Sequence, residues 1–437
     1  MERFVGRDTI MELLNVRIEG FRNIEKNTVV FGDGITSLVS TNSYGKSNLM
    51  KAIDFAVDFI KEDAEMKDSM MSWIHGIPFN RYVQSKNFVA DFTFSIKTGE
   101  KTFIVNYGFE FVWIKNKGGR RIVGEWLSAR EEGVSQKFTK LINRSEKALY
   151  KSAPTGRCSS VVRVDDNELV INKLLANDAL YYKEIVSQLN KVKVHLERHM
   201  DASWFYLQDP IVPKDCEEFD LSNLSSVPRT IYRLKKKYPD KYEILENAFV
   251  QLFPNIQKID VKEIDIGEHH DIHISMDAPY TVTNKVYSMF VQDANLNQPM
   301  DFSSMSDGAK RVFLMLTCAV IADIEGITLI EFEEPENSIH PGLLQSYLTV
   351  LSQLAGECRI VVASHSPYII QYVDTAKIYI GKPNDCGIAD FARIDGKKIN
   401  QLMRDAASDS NSIGDYIFEL LSGGEDEVGY LLNYLEK

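Results

Sequence analysis

The chain lacks most of the features that would assign it to a secreted, membrane or nucleic-acid-coating class. Its five cysteines, Cys158, Cys216, Cys318, Cys358 and Cys386, are odd in number, scattered and without a CxxC pair. That argues against a disulfide framework or a thiolate zinc site. No apolar run reaches the ~18 residues of a membrane span. The first residues, with Glu2, Arg3, Arg7 and Asp8 close together, do not have the form of a signal peptide. A cytoplasmic location with no membrane partner is expected. Basic excess is also missing: 50 Lys and Arg stand against 62 Asp and Glu, a formal net charge of −12, which disfavours a large non-specific nucleic-acid footprint. What remains is an ordinary globular composition, 44% hydrophobic and 26% charged over 437 residues, enough for two to three domains.

Against that background three separated segments stand out. The first, Ser40-Thr41-Asn42-Ser43-Tyr44-Gly45-Lys46-Ser47, follows the apolar run Ile35 to Val39 and opens a stretch in which Leu49, Met50, Ile53, Ala56, Phe59 and Ile60 recur at helical spacing. Strand, loop and helix with Gly-Lys-Ser at the helix start is an arrangement that holds phosphates. Loop amides and the positive helix end face the anion, Lys46 adds a cation, and the Ser47 hydroxyl can ligate Mg²⁺. The usual loop has Gly at the position of Ser40, and the family that the chain resembles, named below, has it at Ser43 as well, so either a tolerable conformation or strain is expected there.

The second segment, Met305-Ser306-Asp307-Gly308, precedes a long apolar helix over Val312 to Ile324 that Gly326 can end. Ser306 as N-cap, with Asp307 and the Gly308 amide behind it, makes a second anion site or simply a well-capped helix. The third reads as a buried strand, Ile327 to Phe332, ending in Glu333-Glu334-Pro335. One carboxylate at such a strand end can hold Mg²⁺ and the next can polarise a water; Glu333 is assigned to the metal and Glu334 to the general base. Glu331, an acid inside an apolar strand, must find a partner or face a crevice. His365 follows the apolar strand Arg359 to Ala363 at a Ser364–Pro367 turn and is read as a γ-phosphate contact. Arg22, at the end of a first strand with Leu14, Val16 and Ile18 on one face, is a further phosphate candidate.

Together with Phe21-Arg22-Asn23-Ile24, the run Asn42 to Leu49, Glu333 to Pro341 and Ser364-His365-Ser366-Pro367, these segments resemble the ordered motifs of SMC/RecF-class ATP-binding-cassette ATPases. They resemble more closely the OLD-like AAA ATPases of bacterial anti-phage systems. The resemblance makes Asn42, Ser43, Tyr44, Gly45, Lys46 and Ser47 Walker A, with Asn48 a further nucleotide contact, Met305 to Gly308 the signature, Glu333 and Glu334 Walker B, and His365 the switch histidine. It implies an α/β fold: a two-lobed ABC-type P-loop head with a mixed or antiparallel lobe and a parallel-sheet lobe. It also implies ATP and Mg²⁺ as cofactors, and a homodimer or higher oligomer that sandwiches ATP head to tail.

The expected organisation is a lobe with Walker A over 1–126, a short, mainly helical insertion over 127–256, and a second lobe over 257–437 with an acidic tail. Helices are expected at Leu180 to His199, Val227 to Tyr238 and Tyr242 to Leu252. His195 and His199 around Glu197 are read as a solvated helix face. His269, His270 and His273 beside Glu268 and Asp271 are read as a polar turn, with metal binding as the alternative. Basic clusters at Lys115, Lys117, Arg120 and Arg121, and at Arg233, Lys235, Lys236 and Lys237, are solvated surface, a nucleic-acid groove or a seam for an acidic protein. Two functions stand. One is a defence ATPase resembling the ATPase subunits of PARIS-like, Septu-type or retron-associated systems, which responds to a DNA or phage-protein trigger and controls a separately encoded Toprim or HNH nuclease. The other is a RecF-like repair ATPase that binds DNA itself.

Overall fold

The computed structural model describes residues 9–114, 121–135, 137–176, 227–267 and 280–436, with the short pieces 188–189, 192, 194–197, 211–213 and 219. The chain forms two compact units: Met1–Leu196 with Ile327–Glu333 and Arg359–Lys437, and Glu197–Gly326 with Glu334–Cys358.

In the first unit, alternating sequence builds an antiparallel sheet. Its strands, numbered along the chain, are β1 (Thr9–Phe21), β2 (Ile24–Val30), β4 (Phe88–Thr98), β5 (Lys101–Phe111), β6 (Ile122–Glu131), β7 (Thr139–Arg144), β8 (Ala148–Tyr150) and β9 (Ser160–Val161). They lie in the order β2-β1-β4-β5-β6-β7-β8-β9. Phe88, Phe92 and Phe94 of β4 and Phe109 and Phe111 of β5 are fully buried. They receive the helix Lys46–Lys61: Phe59 stacks on Phe109 and Phe111, each at 4.9 Å, and Phe55 meets Phe88 edge-on at 5.2 Å. Burying each such ring contributes about 1.5–3 kcal/mol, so the helix that starts at Lys46 is fixed to the sheet by its aromatic face.

A second sheet in this unit has the order β10 (Val194–Glu197), β16 (Leu329–Glu333), β17 (Arg359–Ser364), β3 (Ile35–Val39), β18 (Ile378–Gly381), β19 (Phe391–Arg393). Strands β16, β17, β3 and β18 run parallel, and β19 returns antiparallel. Every residue of β3 and β17 is buried, as expected of continuous apolar runs in a parallel sheet. Arg359 at the start of β17 holds Glu12 at 2.8 Å and Asp33 at 2.9 Å. The edge of β2 is tied to this sheet by Asn27, whose amide donates to Ala389 O at 2.6 Å and accepts from Phe391 N at 2.8 Å.

The second unit contains a three-stranded antiparallel sheet of β12 (Ile256–Asp265), β14 (Lys285–Asp293) and β15 (Met300–Asp301), and the pair β11 (Ile211–Pro213) with β13 (Tyr280–Val282). Among the described residues four helices accompany them: Val227–Lys237, Pro239–Leu252, Asp307–Glu325 and Pro341–Leu354. Phe249, Phe302 and Phe313 form its aromatic centre, with ring separations of 4.9 to 5.9 Å. No helix among the described residues is long and apolar enough to cross a membrane.

Three expectations are corrected. The face of β1 is carried by Leu13, not Leu14, with Val16 and Ile18, because the strand bulges between Leu13 and Asn15 and shifts the alternation by one. The stretch 127–256 is not mainly helical in its first part: β7 to β9 extend the antiparallel sheet. The described end of the expected Leu180–His199 helix, Val194–Glu197, is a strand; its residues Val194-His195-Leu196-Glu197 alternate with period two. His199, Cys216, the His269–His273 cluster, and Lys115, Lys117 and Arg120 lie outside the described residues.

A buried carboxyl ties β6 to the segment that follows β9. Glu125 accepts from Val170 N at 2.6 Å, Ile171 N at 3.0 Å and the Tyr107 hydroxyl at 3.2 Å, and Arg144 and Lys67 lie close enough to interact with it. Burial pushes its pKa from 4.5 up to about 7, against those amides and Arg144. A raised acid pKa contributes stability that is complete below the unfolded value and is lost as pH rises through the folded one, here from 4.5 to about 7. Glu125→Gln sets its amide nitrogen against one of those N–H donors at every pH but carries no ionisation cost, so its stability relative to the parent is expected to rise between pH 5 and pH 7 by up to about 3 kcal/mol. Urea unfolding across that range measures it, and a difference independent of pH would contradict it.

Candidate nucleotide site

The parallel sheet brings three of the sequence segments to one edge. Ser364 is level with Val39, Ala363 with Leu38, and Glu333 with Ala363. The loop that starts at Ser40, His365 and Glu333 thus leave the carboxyl ends of three neighbouring strands. Two interstrand spacings separate the backbone of Glu333 from that of the loop strand, about 10 Å. The carboxyl end of an open parallel sheet is where such folds bind ligands. Glu331 is fully buried two residues earlier, level with Val361 and Thr36.

The loop closes on itself around Lys46, which is 9% exposed. Its ammonium donates to Ser40 O at 2.9 Å, Thr41 O at 3.2 Å and Ser40 Oγ at 3.3 Å. Of the two serines in glycine positions, Ser43 takes the left-handed conformation, φ 61°, and Gly45 has φ 126°. Ser40 is not among the positive-φ residues and is fully buried. Strain of about 1–2 kcal/mol is thus confined to Ser43. No side chain caps the helix at Gly45, so its first-turn N–H groups suit an anion. Ser47 is half-buried in that first turn.

Arg22, Asn23 and Asn48 form a chain beside the loop. The Arg22 guanidinium donates to Asn48 Oδ1 at 2.8 Å and to His75 O at 2.6 Å, and lies over the Phe21 and Trp73 rings. Asn48 donates to Asn23 Oδ1 at 2.8 Å, and Asn23 donates to Tyr44 O at 3.1 Å. The Tyr44 side chain turns away from the loop to pack edge-on against Phe391, 5.4 Å between centroids. His365 is half-buried at the end of β17, while Ser364 Oγ accepts from Ser366 N at 2.9 Å and shapes the turn.

The second unit carries the other segments. Ser306 caps the helix Asp307–Glu325, accepting from Ala309 N at 3.4 Å, and Ser306 and Asp307 are exposed. Asp307 pairs with the buried Lys310 at 2.9 Å. Gly308 has a steric reason: a Cβ there would lie 2.2 Å from Ser338 O. Glu334 is itself left-handed, φ 49°, and its neighbours hold it so. Asn337 donates to its carboxylate at 2.6 Å and Arg311 to its carbonyl at 2.8 Å. Strained residues over-determined by their surroundings cluster at functional sites.

Asn23, Arg311 and Asn337 had no role assigned from sequence. For Asn337 a signal existed, an amide three residues beyond Glu334 in a turn whose Asn337 N donates to Glu334 O at 3.1 Å. For Asn23 the partner segment is 364 residues away, and no local pattern could announce it.

No curated protein matches the chain. Among solved structures, an SMC head bound to the C-winged helix domain of ScpA is similar at 12% identity, covering 89% of this chain and 99% of that one, with a TM-score of 0.45. The SMC head domain from Thermotoga maritima is similar at 12% identity, 88% and 99% coverage and a TM-score of 0.41. The recombination mediator protein RecF is similar at 12%, 87% and 98% coverage and 0.38. A family model described as "AAA domain, putative AbiEii toxin, Type IV TA system" matches residues 35–371, from the first residue of β3 into the helix Pro367–Tyr372 beyond His365. The match spans most of the chain, which belongs to this AAA-domain family.

Proposed function

We propose that the chain binds and hydrolyses ATP and, through ATP-dependent association of two copies, controls a separately encoded effector of an anti-phage system. One observation carries the ATPase part: the phosphate loop, Glu333 and His365 share one sheet edge, in register. Lys46, now held by the Ser40 and Thr41 carbonyl oxygens, would trade them for phosphate oxygens. The hard oxygen donors of Ser47 and Glu333 suit Mg²⁺, which keeps several waters and few protein ligands. When bound it offsets phosphate charge. Glu334, oriented by Asn337, would accept a proton from the attacking water, and His365 would meet the γ-phosphate. Arg22 is fixed by Asn48 and His75 as a further cation beside the loop.

The exposed Ser306 and Asp307 at a helix start suit the phosphates of a second copy. The effector part is supported by the family description, which names a toxin–antitoxin system. A nuclease of Toprim or HNH type is the effector expected. The RecF-like reading, direct DNA binding, would draw on the basic end of the helix Val227–Lys237. There Lys235 is engaged with Asp260 at 2.8 Å and Lys236 lies over the Tyr232 ring, which favours the first reading.

Lys46→Ala is expected to abolish ATP binding in an equilibrium assay; wild-type affinity in that variant would remove the phosphate-loop assignment. Glu334→Gln should bind ATP and turn over about 10²–10⁴-fold more slowly, whereas unchanged turnover would shift the base to Glu336. Ser306→Arg and Lys46→Ala, each inactive alone, should regain part of the activity when mixed, since one of the two composite sites in the mixed dimer is intact. A mixture that stays inactive, while wild-type/mutant heterodimers work, would reduce Ser306 to a helix cap. Co-expression with the product of the adjacent gene should yield a complex whose retention changes in Glu334→Gln. Recovery of a lone homo-oligomer that binds duplex DNA tightly at physiological salt would favour the RecF-like reading.

A further inference from the structure

Tyr44 is the largest side chain in the loop Ser40–Gly45, and it does not serve the ligand side. Its ring fits against Gly381, where an added Cβ would sit 2.5 Å from Tyr44 Cε1, and against Phe391. Its hydroxyl donates to Lys382 O and accepts from Asp390 N at 3.2 Å and from Asn384 Nδ2 at 3.3 Å. Burial pushes the phenol up to about 12, so the donor persists at any working pH.

The same segment grips the loop backbone. A Cβ on Gly45 would lie 2.7 Å from Ala389 Cβ, and Asn23 bridges Tyr44 O at 3.1 Å and Gly387 O at 3.2 Å. The segment is itself well braced. Asn384 Oδ1 accepts from Cys386 N at 3.2 Å and Ile388 N at 3.1 Å, and Lys382 pairs with Asp390 at 2.9 Å.

We infer that Tyr44 is a positioning residue that ties the phosphate loop to the segment 382–390, holding the loop ready for nucleotide and making that segment report the loop's state. The inference rests on the nucleotide-binding reading of the loop. A left-handed residue with a Cβ, such as Ser43, is conformationally uphill, so a loop that keeps it needs a hold from outside. Glycine would lower that need; this chain has serine there and a tyrosine anchor next to it. If the anchor is released, only a fraction of molecules present the binding form, and apparent affinity falls by that fraction. Because the ring is seated against Phe391 and Gly381, it is not available to stack on a nucleobase.

The variants are Tyr44→Phe, which keeps the ring and loses the hydroxyl, and Asn384→Ala at an exposed position. Hydrogen exchange of the nucleotide-free protein should show faster exchange in residues 40–47 and 382–390 together in Tyr44→Phe, with the rest of the chain and the thermal midpoint close to the parent. ATP binding in Tyr44→Phe should weaken about tenfold, with KM rising and kcat at saturation nearly unchanged. The double variant should weaken it less than the product of the two single effects. Exchange that rises only beside residue 44, or affinity and KM equal to the parent, would overturn the inference. A parent that binds no ATP while the paired exchange response appears would sink the nucleotide reading and leave the tie between the two segments standing.

Discussion

The structure of the site depends on the parallel pairing of β16 and β3 on either side of β17. That pairing is a backbone hydrogen-bond ladder between segments from distant parts of the chain: Glu333 meets Ala363, and Ala363 meets Leu38. Slippage by one residue would turn every side chain to the opposite face. It would exchange Glu333 for Phe332 or Glu334 at the level of the loop that starts at Ser40. The apolar residues enforce the register, because Leu329, Val361, Ala363 and Leu38 belong to one buried cluster with the aromatic side chains of the antiparallel sheet. Chemistry at the strand ends is therefore specified by packing one or two residues behind it.

The polar parts are held differently. Around the loop, amide side chains and main-chain groups satisfy one another in sequence: Arg22 to Asn48, Asn48 to Asn23, Asn23 to the carbonyls of Tyr44 and Gly387. Such a network is costly if half-made, since buried polar groups lose water without replacement. Its completeness accounts for the tolerance of φ 61° at Ser43 and φ 52° at Arg22 in one small region. Glu334 repeats the pattern in the other unit with Asn337 and Arg311. In both places the left-handed residue lies within the candidate site rather than distant from it.

Much of this was legible in sequence, and the limits follow physical lines. The apolar runs Ile35 to Val39 and Arg359 to Ala363, the helix after Lys46 and the Ser306 cap are local signals, and each appears as expected. Short strands such as β8 and β9 carry too few residues for periodicity to show. The bulge in β1 reverses a face without changing composition, so Leu14 seemed as good a core residue as Leu13. Gly308 fits an anion site and a close backbone contact equally well in sequence; only the 2.2 Å approach to Ser338 O distinguishes the second reason. The seat of Tyr44 lies more than 330 residues along the chain, beyond any local rule.

The Asn27 amide that joins β2 to the parallel sheet gives the protein a chemical vulnerability. It presents a donor to Ala389 O and an acceptor to Phe391 N, so the join is read by the polarity of two atoms of nearly equal size. Aspartate has the same shape and would satisfy only Phe391, setting a carboxylate oxygen against a carbonyl oxygen at a 3% exposed position. Loss of one amide nitrogen by slow hydrolysis, a change of a single mass unit, would thus convert an attraction into a repulsion where the two sheets meet. Burial and strand geometry there act as chemical protection as well as packing.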